Sequence, residues 1–266
     1  MEVYQQAILF ILLCLLLYVM VKPYCTNIEK YTYDSNIEGP HIVFVGSAHG
    51  NEPAGDKALR MLKDALDKKL FRLKKGKITI VPCMNPCGKK LGIRFQPHQI
   101  LIGHAIDLNR NFGTLIGKQG LCTVSRKIEH ILPDADFVID MHEGYDFNNR
   151  NPNSMGSGIF PGNSKLSQDI AYQIKDELNE TIVVVPPIKH KWYENEYVLE
   201  DFKFKVLPEW DDIEGTLRYY CNTHGIDYIL IETTGQANIQ PLIVRALQHY
   251  QLAISACKKL NVLDIN

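Results

Sequence analysis

From residue 39 onward, apolar residues occur in two alternating patterns: short uninterrupted runs and longer segments with helical spacing. The short runs are typical of strands that are buried on both faces of a sheet, whereas a repeat of three or four positions indicates amphipathic helices. The predicted strands are His41–Ser47, Lys77–Pro82, Asp136–His142, Thr181–Val185 and Tyr228–Glu232. The predicted helices are Pro53–Leu70, Ser164–Leu178, Ile213–His224 and Pro241–Leu260.

This alternation predicts an α/β fold with a mixed, mostly parallel central sheet and helices on both faces. The 266-residue chain is long enough for one such domain, which we place at residues 39–266. Residues 23–38 are polar and poor in aliphatic side chains, and they are predicted to be a linker. Residues 143–164 are rich in Asn, Gly and Ser, which predicts a long loop of the kind that often carries function.

The N-terminus has a different pattern, because Ala7–Val21 is a run of fifteen uncharged, mostly aliphatic residues. A membrane span usually needs about 20 apolar residues, with roughly 17 at the low end, and the stretch from Tyr4 to Val21 provides eighteen uncharged residues. A cleaved signal peptide is the alternative, but no Lys or Arg precedes the run and no small-residue cleavage motif follows it. We therefore expect an uncleaved single-pass anchor within residues 1–22. Lys22 and Lys30 follow the run, which slightly favours a cytosolic position for the globular domain.

The charge balance argues against nucleic-acid binding, and the size of the domain argues against a need for disulfides. The chain has 29 basic and 30 acidic residues, so no overall positive field would attract nucleic acid. A domain of this size does not need disulfides to be stable, and the seven cysteines are interpreted as ordinary thiols.

Three candidate metal ligands follow predicted strands. His49 and Glu52 lie in the turn between the first strand and the first helix, and His142 ends the Asp136–His142 strand. Since the carboxyl ends of parallel strands meet at one edge of a sheet, these side chains are expected to converge. Two histidines and one carboxylate, with one open coordination position, form a typical catalytic zinc shell. Glu232 ends another strand and would remain free to act as general base and acid.

A second candidate group is the pair Asn109 and Arg110 in the stretch AIDLNRNFG. A guanidinium group beside an amide suits the binding of a substrate carboxylate, because arginine can donate two parallel hydrogen bonds to it. The alternative interpretation is that Arg110 stabilises its own loop through an internal ion pair.

Five motifs follow one another along the chain, namely HGNE (49–52), NPCG (85–88), DLNRNF (107–112), DMH (140–142) and IE (231–232). Taken in order, these motifs resemble the zinc carboxypeptidase superfamily, which includes carboxypeptidase A-like peptidases and the succinylglutamate desuccinylase/aspartoacylase branch. The resemblance covers residues 40–250 and leans toward the second branch.

The resemblance implies a zinc-exopeptidase-like fold with one Zn²⁺ per chain, held by His49, Glu52 and His142. It also implies that Glu232 is the general base and acid and that Asn109 and Arg110 anchor the substrate carboxylate. Arg94 resembles the arginine that polarises the scissile carbonyl, although its register is open. Asp140 either orients the site or binds backbone. Trp210 stands near where carboxypeptidase A-like enzymes carry a mobile tyrosine, which weakens a direct match to that group.

The expected function is hydrolysis of an amide next to a free carboxylate. The first choice is removal of the acyl group from an N-acyl amino acid, and the alternative is removal of C-terminal residues from a peptide. The expected partners are therefore a small acylated amino acid or peptide, and the membrane through the N-terminal segment. A membrane-anchored binding protein without turnover is the third possibility.

Overall fold

The structure is a computed structural model that describes residues 2–97, 106–113, 123–182, 198–236 and 239–264. The strands are β1 (Tyr31–Asp34), β2 (His41–Gly46), β3 (Arg72–Leu73), β4 (Lys77–Val81), β5 (Phe137–Tyr145), β6 (Gly158–Pro161), β7 (Lys205–Val206), β8 (Asp227–Gln236) and β9 (Leu263–Asp264). The α-helices are α1 (Glu2–Thr26), α2 (Ala54–Asp67), α3 (Pro86–Leu91), α4 (Thr123–Glu129), α5 (Lys165–Thr181), α6 (Leu199–Phe202), α7 (Leu217–Thr223) and α8 (Leu242–Lys259).

Seven of the described strands form one sheet in the order β1-β4-β2-β5-β8-β6-β7. The four central strands β4, β2, β5 and β8 are parallel to one another. Strands β1 and β6 run antiparallel to their inner neighbours. The predicted mixed, mostly parallel sheet is therefore confirmed.

The two faces of the sheet bury two separate cores, as the period-two alternation of strand side chains requires. Ile42 and Phe44 of β2 pack with residues of α2, α5 and α8 on one face, which we call the back face. Val43 and Val45 pack with residues of α4 and α7 on the other, which we call the front face. The predicted placement of helices on both faces is confirmed.

Some predicted element boundaries differ from the structure. Helix α5 continues to Thr181, and residues 183–185 of the strand predicted there lie outside the described residues. Helix α7 begins only at Leu217, because Gly215 has a φ of 87° and the side chain of Thr216 caps the helix.

Two segments predicted to lack regular structure contribute strands. The predicted linker 23–38 contains β1, which pairs with β4 at one edge of the sheet. The predicted loop 143–164 is shorter than expected, because β5 extends to Tyr145 and Gly158–Pro161 forms β6.

A disulfide connects the N-terminal segment to the domain. Cys25, at the end of α1, is bonded to Cys87 in α3, so the interpretation of these two residues as free thiols is wrong. Disulfides persist mainly in oxidising compartments. This bond therefore argues against the cytosolic position that Lys22 and Lys30 favoured.

Helix α1 does not support the expected anchor. No helix in the part of the chain that the structure describes combines the length and the apolar character needed to cross a bilayer. The polar residues Gln5 and Gln6 precede Ala7–Val21, and Lys22 follows it. The prediction of a membrane-spanning segment at residues 1–22 is not supported.

Candidate metal centre and active site

The three predicted metal ligands converge at the carboxyl end of the sheet. His49 Nδ1 lies 2.8 Å from Glu52 Oε1, and His142 Nδ1 lies 2.9 Å from Glu52 Oε2. The two histidine Nδ1 atoms are 3.2 Å apart. All three residues are buried, with at most 4% of their surface exposed. Among the described residues, these three form the one cluster of His, Cys, Asp and Glu side chains that is close enough together to hold a metal ion.

The turn that carries His49 and Glu52 is held in an unusual conformation. Ser47 has a φ of 49°, in the left-handed region that residues other than glycine rarely adopt. Its hydroxyl group donates a hydrogen bond to the carbonyl oxygen of Glu52 over 2.9 Å, which closes the turn. Gly50 has no room for a side chain because the backbone of α3 lies against it. The NPCG stretch therefore supports the HGNE turn.

Each histidine also has a carboxylate beside its second ring nitrogen. His49 Nε2 lies 3.1 Å from Asp107 Oδ1, and His142 Nε2 lies 3.1 Å from Asp140 Oδ2, the latter away from ideal hydrogen-bond alignment. Tyr228 donates a hydrogen bond to the same oxygen of Asp140. Metal-binding histidines usually have such outer carboxylates, which fix the ring orientation and leave the other nitrogen for the metal. The two Nδ1 atoms and the Glu52 carboxylate therefore fit a zinc ion.

Electrostatics agree with a ligand role for Glu52. Burial alone would raise the pKa of its carboxyl group, but the charges and hydrogen bonds of His49 and His142 lower that pKa to about 2. The carboxylate is therefore ionised, as a zinc ligand must be.

Glu232 lies beside the metal ligands on the front face of the sheet. Glu232 in β8 is paired in register with His142 in the parallel strand β5, so the two side chains point to the same face of the sheet. Glu232 is 6% exposed, and its Oε2 has no hydrogen-bond partner among the described residues. Burial and then the negative charge of Glu52 raise the pKa of Glu232 well above its usual value. A carboxyl group in this environment is suited to proton transfer.

Arg94 is also brought to the site, and Asp107 holds it there. Its Nε and Nη2 lie 3.0 and 2.9 Å from Asp107 Oδ2, and its Nη1 lies 3.8 Å from Glu52 Oε1. The Arg94 side chain is 34% exposed, so part of the guanidinium faces solvent. Asp107, which contacts both His49 and Arg94, is a site residue for which no role was predicted from the sequence. Its place in the DLNRNF motif, two residues before Asn109, was the available signal.

Asn109 and Arg110 lie in a short 3₁₀ turn immediately after Asp107. Asn109 is buried, and its Oδ1 accepts a hydrogen bond from the backbone of Leu217 at the start of α7. Arg110 is exposed, and its Nη1 donates to the carbonyl oxygen of Asn109 rather than to an acidic side chain. The internal ion pair considered for Arg110 is not formed with any described residue.

Trp210 contributes to packing. Its ring lies edge-on to Phe160, with 5.1 Å between the ring centroids, and it packs against the front-face core. The carbonyl oxygen of Trp210 accepts a hydrogen bond from Arg218, a buried residue of α7.

Comparisons with known proteins agree with this geometry. Residues 38–148 match the family described as succinylglutamate desuccinylase/aspartoacylase catalytic domain. This range includes His49, Glu52, Arg94, Asp107 and His142. No curated protein sequence matches the chain.

Solved structures show the same fold at low sequence identity. Apo Csd4, a cell shape determinant protein of Helicobacter pylori, has a TM-score of 0.67 and 17% identity, and covers 90% of this chain. The product-bound ectoine utilization protein EutE of Ruegeria pomeroyi has a TM-score of 0.59 and 17% identity over 88%. An aspartoacylase family protein of Mesorhizobium loti has a TM-score of 0.54 and 20% identity over 85%. The matches span 56%, 61% and 60% of those chains, respectively.

The match over residues 38–148 and the metal-site geometry agree with two predictions, namely a metallohydrolase and a single zinc ion per chain. Residues 38–148 are therefore similar to the succinylglutamate desuccinylase/aspartoacylase catalytic domain, and the fold is shared with Csd4 and with the aspartoacylase family protein.

Proposed function

We propose that the protein is a zinc-dependent hydrolase that cleaves an amide bond next to a free carboxylate, with an N-acyl amino acid as the first-choice substrate. The observation that carries the proposal is the position of Glu232. It is buried beside His142 on the same face as the metal ligands, and one of its oxygens has no partner among the described residues.

The metal would be held by His49, Glu52 and His142. Zinc there would polarise the scissile carbonyl group and make a water molecule more acidic. Glu232 would accept a proton from the water and then donate it to the leaving amine, which its raised pKa favours.

The remaining residues would bind and orient the substrate. Arg94 is held by Asp107 with part of its guanidinium exposed, so it is placed to donate to the carbonyl oxygen as negative charge develops there. Arg110 is exposed and bonded only to a backbone carbonyl within the described residues, which leaves other guanidinium donors for a substrate carboxylate. Asn109 fixes this turn against α7 and adds an amide beside Arg110.

A carboxypeptidase reaction is the second candidate, and the likeness to Csd4 favours it. Csd4 is described as a D,L-carboxypeptidase and has been solved with a tripeptide and with mDAP. Both reactions cleave an amide next to a carboxylate, so they would use the same site residues. The family match over residues 38–148 keeps deacylation first.

The test uses the full chain loaded with zinc. A panel of N-acyl amino acids and of peptides with free C-termini, including peptides with D-residues, would be incubated with the enzyme and analysed by mass spectrometry. Release of an acyl group from single amino acids would support deacylation, whereas loss of C-terminal residues would support the carboxypeptidase.

The matched control is Glu232→Gln, which keeps the size of the side chain but cannot take up a proton. We expect turnover to fall by about 10²–10⁴-fold while the zinc content is unchanged. If no substrate is cleaved although zinc is bound, the binding-protein alternative replaces the proposal.

A further inference from the structure

Glu143 lies on the opposite face of β5 from His142 and has no role in the chemistry proposed above. The alternation of strand side chains turns it to the back face, toward α2 and α8. Its side chain is 1% exposed, which is unfavourable for a carboxylate unless charged or polar groups compensate the burial. The surroundings of Glu143 provide such groups.

Glu143 contacts the metal-ligand turn at two points. Its backbone N–H donates a hydrogen bond to Glu52 Oε2 over 3.1 Å. Its side-chain Oε1 accepts a hydrogen bond from the backbone N–H of Ala54 over 2.5 Å. Ala54 is the first residue of α2 and lies two positions after Glu52. Glu143 thus holds both the carboxylate of Glu52 and the backbone that follows it.

Arg245 of α8 holds Glu143 in this position. It forms an ion pair with Glu143 Oε2, and both side chains are buried. Arg245 Nε also donates to the carbonyl oxygen of Gln240 over 3.1 Å. At Gly235 of β8 a side chain would collide with both Glu143 and Arg245, so glycine leaves the space that the pair occupies. The orientation of the Glu143 carboxylate is therefore fixed from α8.

We infer that Glu143 is a positioning residue for the metal ligand Glu52, acting through the hydrogen bond from Ala54 N–H. This bond fixes where α2 begins relative to β5 and so fixes the direction in which Glu52 presents its carboxylate. Loss of an outer partner of a metal ligand typically lowers metal affinity or activity about 10–100-fold. The inference rests on the metal site of the proposed hydrolase but on no particular substrate.

Two double variants test the inference: one keeps a side-chain acceptor for Ala54 N–H, and the other does not. Both carry Arg245→Met, so neither leaves a buried charge without its partner. The first adds Glu143→Gln, whose side-chain oxygen can still accept from Ala54 N–H. The second adds Glu143→Leu, which is of similar size and accepts no hydrogen bond. The zinc dissociation constant of each full-length protein would be measured by competition with a chelator, below its thermal unfolding transition.

The Gln/Met variant is expected to bind zinc within about threefold of the parent, and the Leu/Met variant about 10–100-fold more weakly. Equal zinc affinity in the two variants, whether preserved or lost, would overturn the inference. If Leu/Met does not fold, Glu143→Asp replaces it, because the shorter carboxylate cannot reach both Ala54 and Arg245. Unchanged affinity in that variant would also overturn the inference. A parent chain that binds no zinc would instead refute the proposed function and this inference together.

Discussion

The two ends of the parallel sheet each contain a buried histidine among acidic residues, but only one end is arranged for chemistry. At the amino end, His41 begins β2. Its Nδ1 lies 2.8 Å from the carbonyl oxygen of Asp134, and its Nε2 lies 2.9 Å from Thr79 Oγ1. The carboxylate of Asp136 accepts a hydrogen bond from the backbone N–H of His41. Both ring nitrogens are thus occupied by neutral groups that bind β2 to adjacent segments.

At the carboxyl end, His49 and His142 each place one ring nitrogen beside a carboxylate and turn the other toward Glu52. The three side chains meet at one point, and Glu232 lies next to them with an oxygen that has no partner within the described residues. Burial is similar at the two ends, with His41 at 9% exposure and His49 at 4%. What distinguishes the two candidate metal ligands from the structural histidine is therefore that their Nδ1 atoms face one shared carboxylate, that of Glu52.

The largest effect is expected when a nitrogen that faces the metal is removed. His142→Ala takes away one of the three ligands, so zinc binding should fall by more than the roughly 10–100-fold typical of an outer partner. Zinc content per chain after dialysis, measured by atomic absorption, would show this loss. The control is His41→Ala at the other end of the same sheet, which should retain one zinc per folded chain. Retention of zinc by the His142 variant would show that the ligand set is wrong.

A smaller effect is expected from Asp107→Asn. The amide keeps the shape of the side chain but loses the negative charge that faces both His49 and Arg94. Zinc affinity should fall by about 10–100-fold. The catalytic efficiency kcat/KM at saturating zinc should fall as well, because Arg94 would lose its ion pair.

Zinc affinity in the Asp107 variant would be measured by chelator competition, and kcat/KM with whichever substrate the panel identifies. Asp136→Asn provides the matched control at the amino end, where the carboxylate accepts a backbone hydrogen bond that an amide oxygen can also accept. Equal losses of zinc affinity and of kcat/KM in the Asp107 and Asp136 variants would contradict the comparison. They would mean that a carboxylate at the amino end affects the metal site as much as one at the carboxyl end.

The sequence predicted the features that depend on local pattern. The apolar runs of β2, β5 and β8 are buried on both faces and were recognisable without tertiary information. The candidate metal ligands could be proposed from the sequence because His49 and Glu52 closely follow the run of β2 and His142 lies in that of β5. By contrast, β1 has an alternating burial pattern over only four residues, Tyr31–Asp34, and its strand character depends on pairing with β4.

Features that depend on contacts between distant residues could not be predicted. Six cysteines outside the apolar run allow 15 pairings, so nothing in the sequence selected Cys25–Cys87. Asp107 contacts a histidine 58 residues away, and Glu143 accepts from a backbone N–H 89 residues away. Such roles depend on the relative position of strands and helices and become visible only once the chain has folded.

The smallest effect at the metal site is expected from a change that is nevertheless costly to the fold. His41→Leu removes both ring nitrogens and leaves the hydroxyl group of Thr79 and the carbonyl oxygen of Asp134 without their histidine partner. A buried polar group that loses its partner costs about 1–3 kcal/mol. The free energy of unfolding, measured by urea denaturation with zinc absent, should therefore decrease by an amount in that range.

Zinc affinity of the folded variant should stay within about threefold of the parent, because His41 lies at the opposite end of β2 from the ligands and the outer-partner effect acts through direct contact. A decrease in zinc affinity without a decrease in stability would reverse the comparison, since His41 would then act on the metal site rather than on the sheet.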